Sequence, residues 1–154
     1  MFEKKLLLFL PEGNDKMKIE SQTIREILFP NGNDTLVYKF LIAPKRFSNG
    51  KGTRRLWLRE DISGNMSLYY GFNEGKNAPG VEAWYCKKSK DSVVYFLTMK
   101  YVGGAVVTFG TKKTFRKNIS VYFKDSPDLV IAVEKDELTY TDLPEIVDKY
   151  NSRH

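Results

Sequence analysis

Residues 55–72 read RLWLREDISGNMSLYYGF. The polar triplet at 63–65 separates two arms that are rich in aromatic residues and leucine. Because successive side chains of a strand point to opposite faces, one face of the second arm would carry Met66, Leu68, Tyr70 and Phe72. The stretch therefore predicts a β-hairpin with strands at 55–61 and 66–72.

Short apolar runs and turn residues alternate in the same way along most of the chain. Turn signals about every 8–12 residues are typical of antiparallel β structure, and sequential strands usually pair. The other runs that predict strands lie at 4–10, 24–29, 35–42, 81–87, 93–101, 105–109, 119–124 and 129–133. We expect a mainly β fold, an antiparallel meander forming a small barrel or sandwich of about 7–9 strands.

An earlier hairpin is predicted at residues 30–34, with the sequence PNGND, because Asn-Gly tolerates positive φ. The preceding residues 20–29 also fit a short helix, since Thr23 and Glu26 have the spacing of a capping box. Of these two interpretations we favour the strand.

The C-terminal residues have the period of a helix instead. One apolar stripe is formed by Leu143, Ile146, Val147 and Tyr150. Asp142 is the predicted N-cap, and Glu145 stands where a capping box places its carboxylate. Because a helix of about ten residues is marginal alone, we predict a short amphipathic helix packed on the sheet.

The composition excludes several classes of site. The chain has 154 residues with one Cys and one His, and we predict a single domain over 1–154. One Cys excludes a disulfide framework and any zinc site built on paired cysteines. The only His is the last residue, His154, which excludes His-based triads. Cys86 is predicted to be a half-buried structural residue.

Motifs for catalysis are weak. Pro127-Asp128 with Glu134 resembles the metal-binding core of the PD-(D/E)xK nucleases, but that pattern requires a Lys at position 136, which is Asp. The adjacent acids Glu60 and Asp61 alternate across a strand and do not converge on one metal. We therefore predict no enzymatic activity, no cofactor and no metal site.

The N-terminal apolar run at 6–10 has five residues, whereas a secretory segment needs about 7–15. No run approaches the roughly 18 apolar residues of a membrane span. The sequence predicts a cytoplasmic protein, and a membrane partner is not favoured.

The net charge of +6 conceals a strong asymmetry along the chain. Residues 1–44 are neutral, residues 45–124 carry a net +11 and residues 125–154 carry a net −5. Aromatic residues are interleaved with the cations of the basic half, which suits single-stranded nucleic acid because bases stack on rings and phosphates contact cations. The candidate contact residues are Lys45, Arg46, Lys51, Arg54, Arg55, Trp57, Arg59, Lys112, Lys113, Phe115, Arg116 and Lys117.

A solvated surface explains the same charges about equally well, since Lys and Arg collect at turns that face water. The arginine content of the stretch 45–59 favours a functional site, because forked guanidinium groups suit phosphate or carboxylate recognition.

Two functions remain. The first is a small non-enzymatic basic protein that contacts nucleic acid, single strand favoured, through a face within 45–124. The alternative is a protein-binding inhibitor, immunity or adaptor protein of the phage–host or toxin–inhibitor type that uses the same patch on an acidic partner. A barrel with a C-terminal helix resembles the pleckstrin-homology architecture, and an OB-type barrel also fits the strand count. Both likenesses are architectural, and a fold does not determine function.

Overall fold

The computed structural model describes residues 5–9, 16–20, 24–73, 79–102 and 111–153. Its first two strands, β1 (Lys5–Phe9) and β2 (Lys16–Glu20), form a two-stranded antiparallel sheet. The main sheet contains β3 (Glu26–Asn31), β4 (Asp34–Arg46), β5 (Ser48–Ile62), β6 (Met66–Asn73), β7 (Gly80–Lys88) and β8 (Tyr95–Val102). Three helices follow, α1 (Thr111–Tyr122), α2 (Pro127–Glu134) and α3 (Leu143–Asn151), with a 3₁₀ turn at Tyr140–Asp142.

The six strands of the main sheet pair in chain order, and every pair is antiparallel. This confirms the predicted mainly β antiparallel meander. A barrel is not confirmed, because closure requires the first and last strands to pair and the described parts of β3 and β8 are the two edges of the sheet. The count in this sheet is six strands, below the predicted range of about 7–9.

The first hairpin of the main sheet confirms the strand interpretation of residues 24–29. The turn between β3 and β4 contains Gly32 with φ of 62°. Glycine takes this left-handed conformation without the steric cost of a Cβ atom.

The long hairpin of β4 and β5 bends back over one face of the sheet. A change of register between Pro44 and Arg46 marks the bend. Beyond it, the backbone N–H of Val94 donates to the carbonyl of Ile42 at 2.9 Å. The Asn49 side chain donates to the Phe96 carbonyl and accepts from the Phe96 N–H, both at 2.8 Å. The Asn49 side chain thus makes the pair of hydrogen bonds with the Phe96 backbone that a residue of a neighbouring strand would make.

The two faces of the sheet carry separate apolar cores because side chains alternate along each strand. Under the bent hairpin, the core contains Ala43, Leu56, Leu58, Tyr69, Ala83, Tyr85, Val94 and Phe96. On the other face, Met66, Leu68, Cys86 and Leu97 pack against buried residues of the three helices. Since α1 packs mainly on β8 and α3 on β6, the helices cover one end of that face.

Two predicted strands are wrong. Residues 119–124 lie at the end of α1 and the turn after it, and residues 129–133 lie within α2. Short apolar runs fit both periods, and here Phe115 and Ile119 are buried one helical turn apart. Pro127 begins α2, where its missing N–H costs no hydrogen bond. The predicted strand at 105–109 lies outside the described residues.

The predicted C-terminal helix is confirmed as α3, and its apolar stripe is buried. The Asn151 side chain fixes its end to β6, accepting from the Met66 N–H at 2.7 Å and donating to the Met66 carbonyl at 2.9 Å. Asp142 is at the predicted N-cap position, but its side chain makes no capping hydrogen bond to α3. Its carboxylate instead accepts from the Thr139 N–H and hydroxyl at 2.8 Å, closing the preceding 3₁₀ turn and lowering the pKa of Asp142.

Helices within the described ranges are all too short or too polar to cross a membrane.

Cys86 is 0% exposed, more deeply buried than predicted. Burial raises the pKa of its thiol well above the ordinary value, and the thiolate is the reactive form. We expect iodoacetamide to alkylate Cys86 at least about a hundredfold more slowly in the native than in the denatured protein, because reaction requires opening of the core. Mass spectrometry of timed samples measures both rates. Equal rates would contradict the burial of this thiol.

Candidate aromatic–arginine surface of the sheet

Aromatic rings and arginines share the helix-bearing face of the sheet, beyond the end that the helices cover. Directly paired residues of neighbouring strands point to the same face. The register pairs Tyr38 with Arg59, Arg59 with Tyr70, and Tyr70 with Trp84. We call this surface the ladder; it comprises Phe29, Tyr38, Phe40, Arg55, Trp57, Arg59, Tyr70 and Trp84.

The first row of the ladder runs across five strands, from β3 to β7. The rings of Phe29 and Tyr38 meet edge to face with centroids 5.5 Å apart. The Arg59 guanidinium carbon lies 4.6 Å from the centroid of the Tyr70 ring, which is a cation–π contact. Tyr70 and Trp84 continue the row with centroids 5.6 Å apart.

The second row lies on β4 and β5. Phe40 and Trp57 stack with centroids 5.1 Å apart and an interplanar angle of 30°. Arg55 places its guanidinium carbon 5.7 Å from the Phe40 centroid. Trp57 is only 4% exposed, so its ring is not available to stack on a base, contrary to the prediction, and it supports Phe40 from within the surface. Arg55 is open to solvent.

Half-buried rings are what make this surface a candidate site. Tyr38, Phe40, Tyr70 and Trp84 are all of intermediate exposure. Large aromatic groups left partly in water forgo some of the hydrophobic free energy of burial, and a contiguous set of them marks an interaction surface. Stacking against a planar ligand would recover that free energy.

Two carboxylates border the first row. Arg59 donates from Nε to Asp61 Oδ1 at 2.5 Å, and this hydrogen bond raises the pKa of Arg59. The Tyr70 hydroxyl donates to Glu82 Oε1 at 3.1 Å. Desolvation, and then the charge of Glu82, raise the pKa of Tyr70 to about 12. Lys100 Nζ lies 3.7 Å from Glu82 Oε2. These contacts hold Arg59 and the Tyr70 hydroxyl in one orientation.

The predicted basic residues of the β4–β5 hairpin separate into two groups. Arg55, Trp57 and Arg59 belong to the ladder. Lys45 and Lys51 are exposed at the tip of the hairpin. Arg54 is paired with Ala43, on the face of the bent-hairpin core, and its charge acts on the buried Tyr85. The side chain of the predicted residue Arg46 lies outside the described part.

The predicted residues of α1 lie apart from the ladder. Lys112 and Arg116 are both ion-paired with Asp136, at 2.8 and 2.5 Å, so their charges are largely compensated. Lys113 and Lys117 are exposed on the helix. Phe115 is 2% exposed and packs in the core between helices and sheet, so its ring is not available to stack on a base, contrary to the prediction.

Sequence reasoning missed the rings that complete the ladder, namely Tyr38, Phe40, Tyr70 and Trp84. Alternation along the sequence places Tyr38 and Phe40 on one face of one predicted strand. It places Tyr70 on the same face of another predicted strand as Met66 and Leu68. That signal assigns a face within each strand, but the register between strands is what brings Arg59 beside both tyrosines.

A groove of about 430 Å³ lies between the hairpin tip and the connection from β7 to β8. Tyr95 and Tyr122 line it and stack on each other with centroids 4.5 Å apart. The Tyr122 hydroxyl donates to Asp91 and accepts from the Lys88 N–H. The Tyr122 hydroxyl, the Asp91 carboxylate and the Lys88 N–H are thus hydrogen-bonded to one another. We therefore interpret the groove as a structural junction between the sheet and α1.

Comparison of the chain with protein-family models, with curated proteins and with solved structures gives no match. Within the described residues, no group of three or more His, Cys, Asp or Glu side chains is placed to hold a metal ion.

Proposed function

We propose that the protein is a non-enzymatic nucleic-acid-binding protein that holds single-stranded nucleic acid on the ladder. The observation that carries the proposal is the exposed Arg55 guanidinium on the half-exposed Phe40 ring, beside a row in which Arg59, ion-paired with Asp61, lies over the half-exposed Tyr70 ring. Proteins that bind single strands combine rings for base stacking with cations for phosphates.

The charge distribution supports the same ligand. Residues 45–124 carry a net +11, and this range contains both ladder arginines. Lys45 and Lys51 are exposed at the tip of the same hairpin and add to its positive charge. A basic surface attracts the phosphate backbone and releases its counterions on binding. A ligand of this kind agrees with the cytoplasmic location that the sequence predicts.

The dimensions of the ladder suit a short stretch of nucleic acid. Tyr38 and Trp84 stand on β4 and β7, and three steps of about 4.8 Å between strands separate them by about 14 Å. Flat rings at these intervals accept any base, because every base has a π-face. We therefore expect binding to mixed sequences of DNA and RNA.

Fluorescence anisotropy with labelled single strands tests the proposal. We expect binding at about 50 mM salt that weakens steeply by about 200 mM, as counterion release requires. Arg55→Gln should weaken binding several-fold more than Lys113→Gln, although both variants remove one exposed positive charge. No binding at the lower salt overturns the proposal. Equal losses of affinity in the two variants would show that the ladder is not the binding surface.

An acidic protein surface is the competing occupant. A pull-down from nuclease-treated lysate separates the two, since loss of all bound material supports nucleic acid. A stoichiometric protein partner that survives nuclease and is lost with Arg55→Gln would replace the proposal.

A further inference from the structure

The two carboxylates beside the ladder are open to the same solvent as its rings. The side chains of Asp61 and Glu82 are each 24% exposed. Each is bound to a ladder residue, Asp61 through Oδ1 to Arg59 and Glu82 through Oε1 to Tyr70. Both therefore have a defined orientation beside a stacking surface.

Both carboxylates already have a cationic neighbour. Asp61 is ion-paired with Arg59, and Lys100 Nζ lies 3.7 Å from Glu82 Oε2. Because Arg59 and Lys100 are engaged in this way, we expect a phosphate on the exposed Arg55 and a base edge at Asp61 and Glu82, which in their ionised form only accept hydrogen bonds. A base that offers an amino group there gains a charge-assisted hydrogen bond.

We propose that Asp61 and Glu82 read the edge of a base stacked on the ladder and favour cytosine, adenine and guanine over uracil and thymine. This inference rests on the proposed function. Cytosine, adenine and guanine carry exocyclic amino donors, whereas uracil and thymine present a carbonyl oxygen where cytosine has its amino group. A carboxylate facing that carbonyl meets a second acceptor, which is repulsive.

The geometry favours discrimination because the acceptors are held in place before the ligand arrives. Asp61 accepts from Arg59, whose guanidinium is itself held against the Tyr70 ring. Glu82 accepts from the Tyr70 hydroxyl, and Lys100 approaches its other oxygen. A recognition group whose orientation is set by such contacts discriminates better than a mobile side chain.

The test compares oligocytidylate with oligouridylate of equal length at neutral pH and fixed salt, since the two bases differ in the amino and carbonyl groups that the carboxylates would distinguish. We expect the cytidine oligomer to bind at least about fivefold more tightly. Equal affinities, or tighter binding of the uridine oligomer, overturn the inference and leave the proposed function standing. Absence of binding by both oligomers overturns the proposed function itself.

Variants that remove the negative charge of each carboxylate test whether the carboxylates cause the preference for the cytidine oligomer. Glu82→Gln and Asp61→Asn keep the shape of each side chain but add an amide donor, so the ratio of the two affinities should fall toward one. The control is Glu134→Gln, which removes one exposed charge on α2 and should leave the ratio unchanged. A ratio that persists in both carboxylate variants overturns the assignment.

Discussion

Ile146→Ala is expected to lower the free energy of unfolding by about 2–5 kcal/mol, the range for deleting a large buried aliphatic side chain. Ile146 lies on α3 and is 0% exposed. It belongs to the same core as Met66 and Leu68 of the sheet, so a cavity left there cannot fill with water at low cost. Chemical denaturation monitored by circular dichroism measures the loss.

Ile131→Ala on α2 is the matched control, because Ile131 is 49% exposed and its removal should change stability by no more than about 0.5 kcal/mol. Equal losses in the two variants would contradict docking of α3 on the sheet. An unchanged melting temperature for Ile146→Ala together with lost partner binding would make α3 the functional element.

Tyr70→Ala is expected to weaken binding of single-stranded nucleic acid by about 5–150-fold, which corresponds to about 1–3 kcal/mol for one stacking position. The change removes the ring under the Arg59 guanidinium and the neighbour of Trp84. Anisotropy titrations at one salt concentration measure the loss, and circular dichroism verifies that the variant is folded.

Tyr70→Phe separates stacking from hydrogen bonding at the same position. It keeps the ring and removes only the hydroxyl that donates to Glu82. We expect its affinity for mixed-sequence strands to stay close to that of the natural protein. If Tyr70→Phe loses as much affinity as Tyr70→Ala, the hydroxyl and not the ring makes the decisive contact; if neither variant loses affinity, the ladder is not the binding surface.

Features that depend on neighbouring residues could be predicted from the sequence. The turn at Gly32 and the polar turn at 63–65 each join two strands, as their residue types require. The stripe from Leu143 to Tyr150 is a helix with its apolar side buried. In each case a period of a few residues, or one backbone conformation, carries the information.

The run at 119–124 shows where local patterns are ambiguous. Ile119, Val121 and Phe123 alternate as in a strand, yet Ile119 and Phe123 also stand one helical turn apart. In the structure Val121 is 53% exposed while Ile119 and Phe123 are buried. Docking on the sheet selected the helical period, because it buries Phe115 as well.

The sequence by itself determined the meander, the terminal helix and a basic half that contains Arg55 and Arg59. Only the tertiary structure decided that these arginines meet Phe40 and Tyr70, because contact across strands depends on register, to which distant segments contribute. The helices α1 and α2 also pack together, and Lys112 and Arg116 of α1 are ion-paired with Asp136, which follows α2. These ion pairs compensate two positive charges that a count along the sequence treats as free. Charge is a property of single residues, whereas a binding surface is a property of their arrangement.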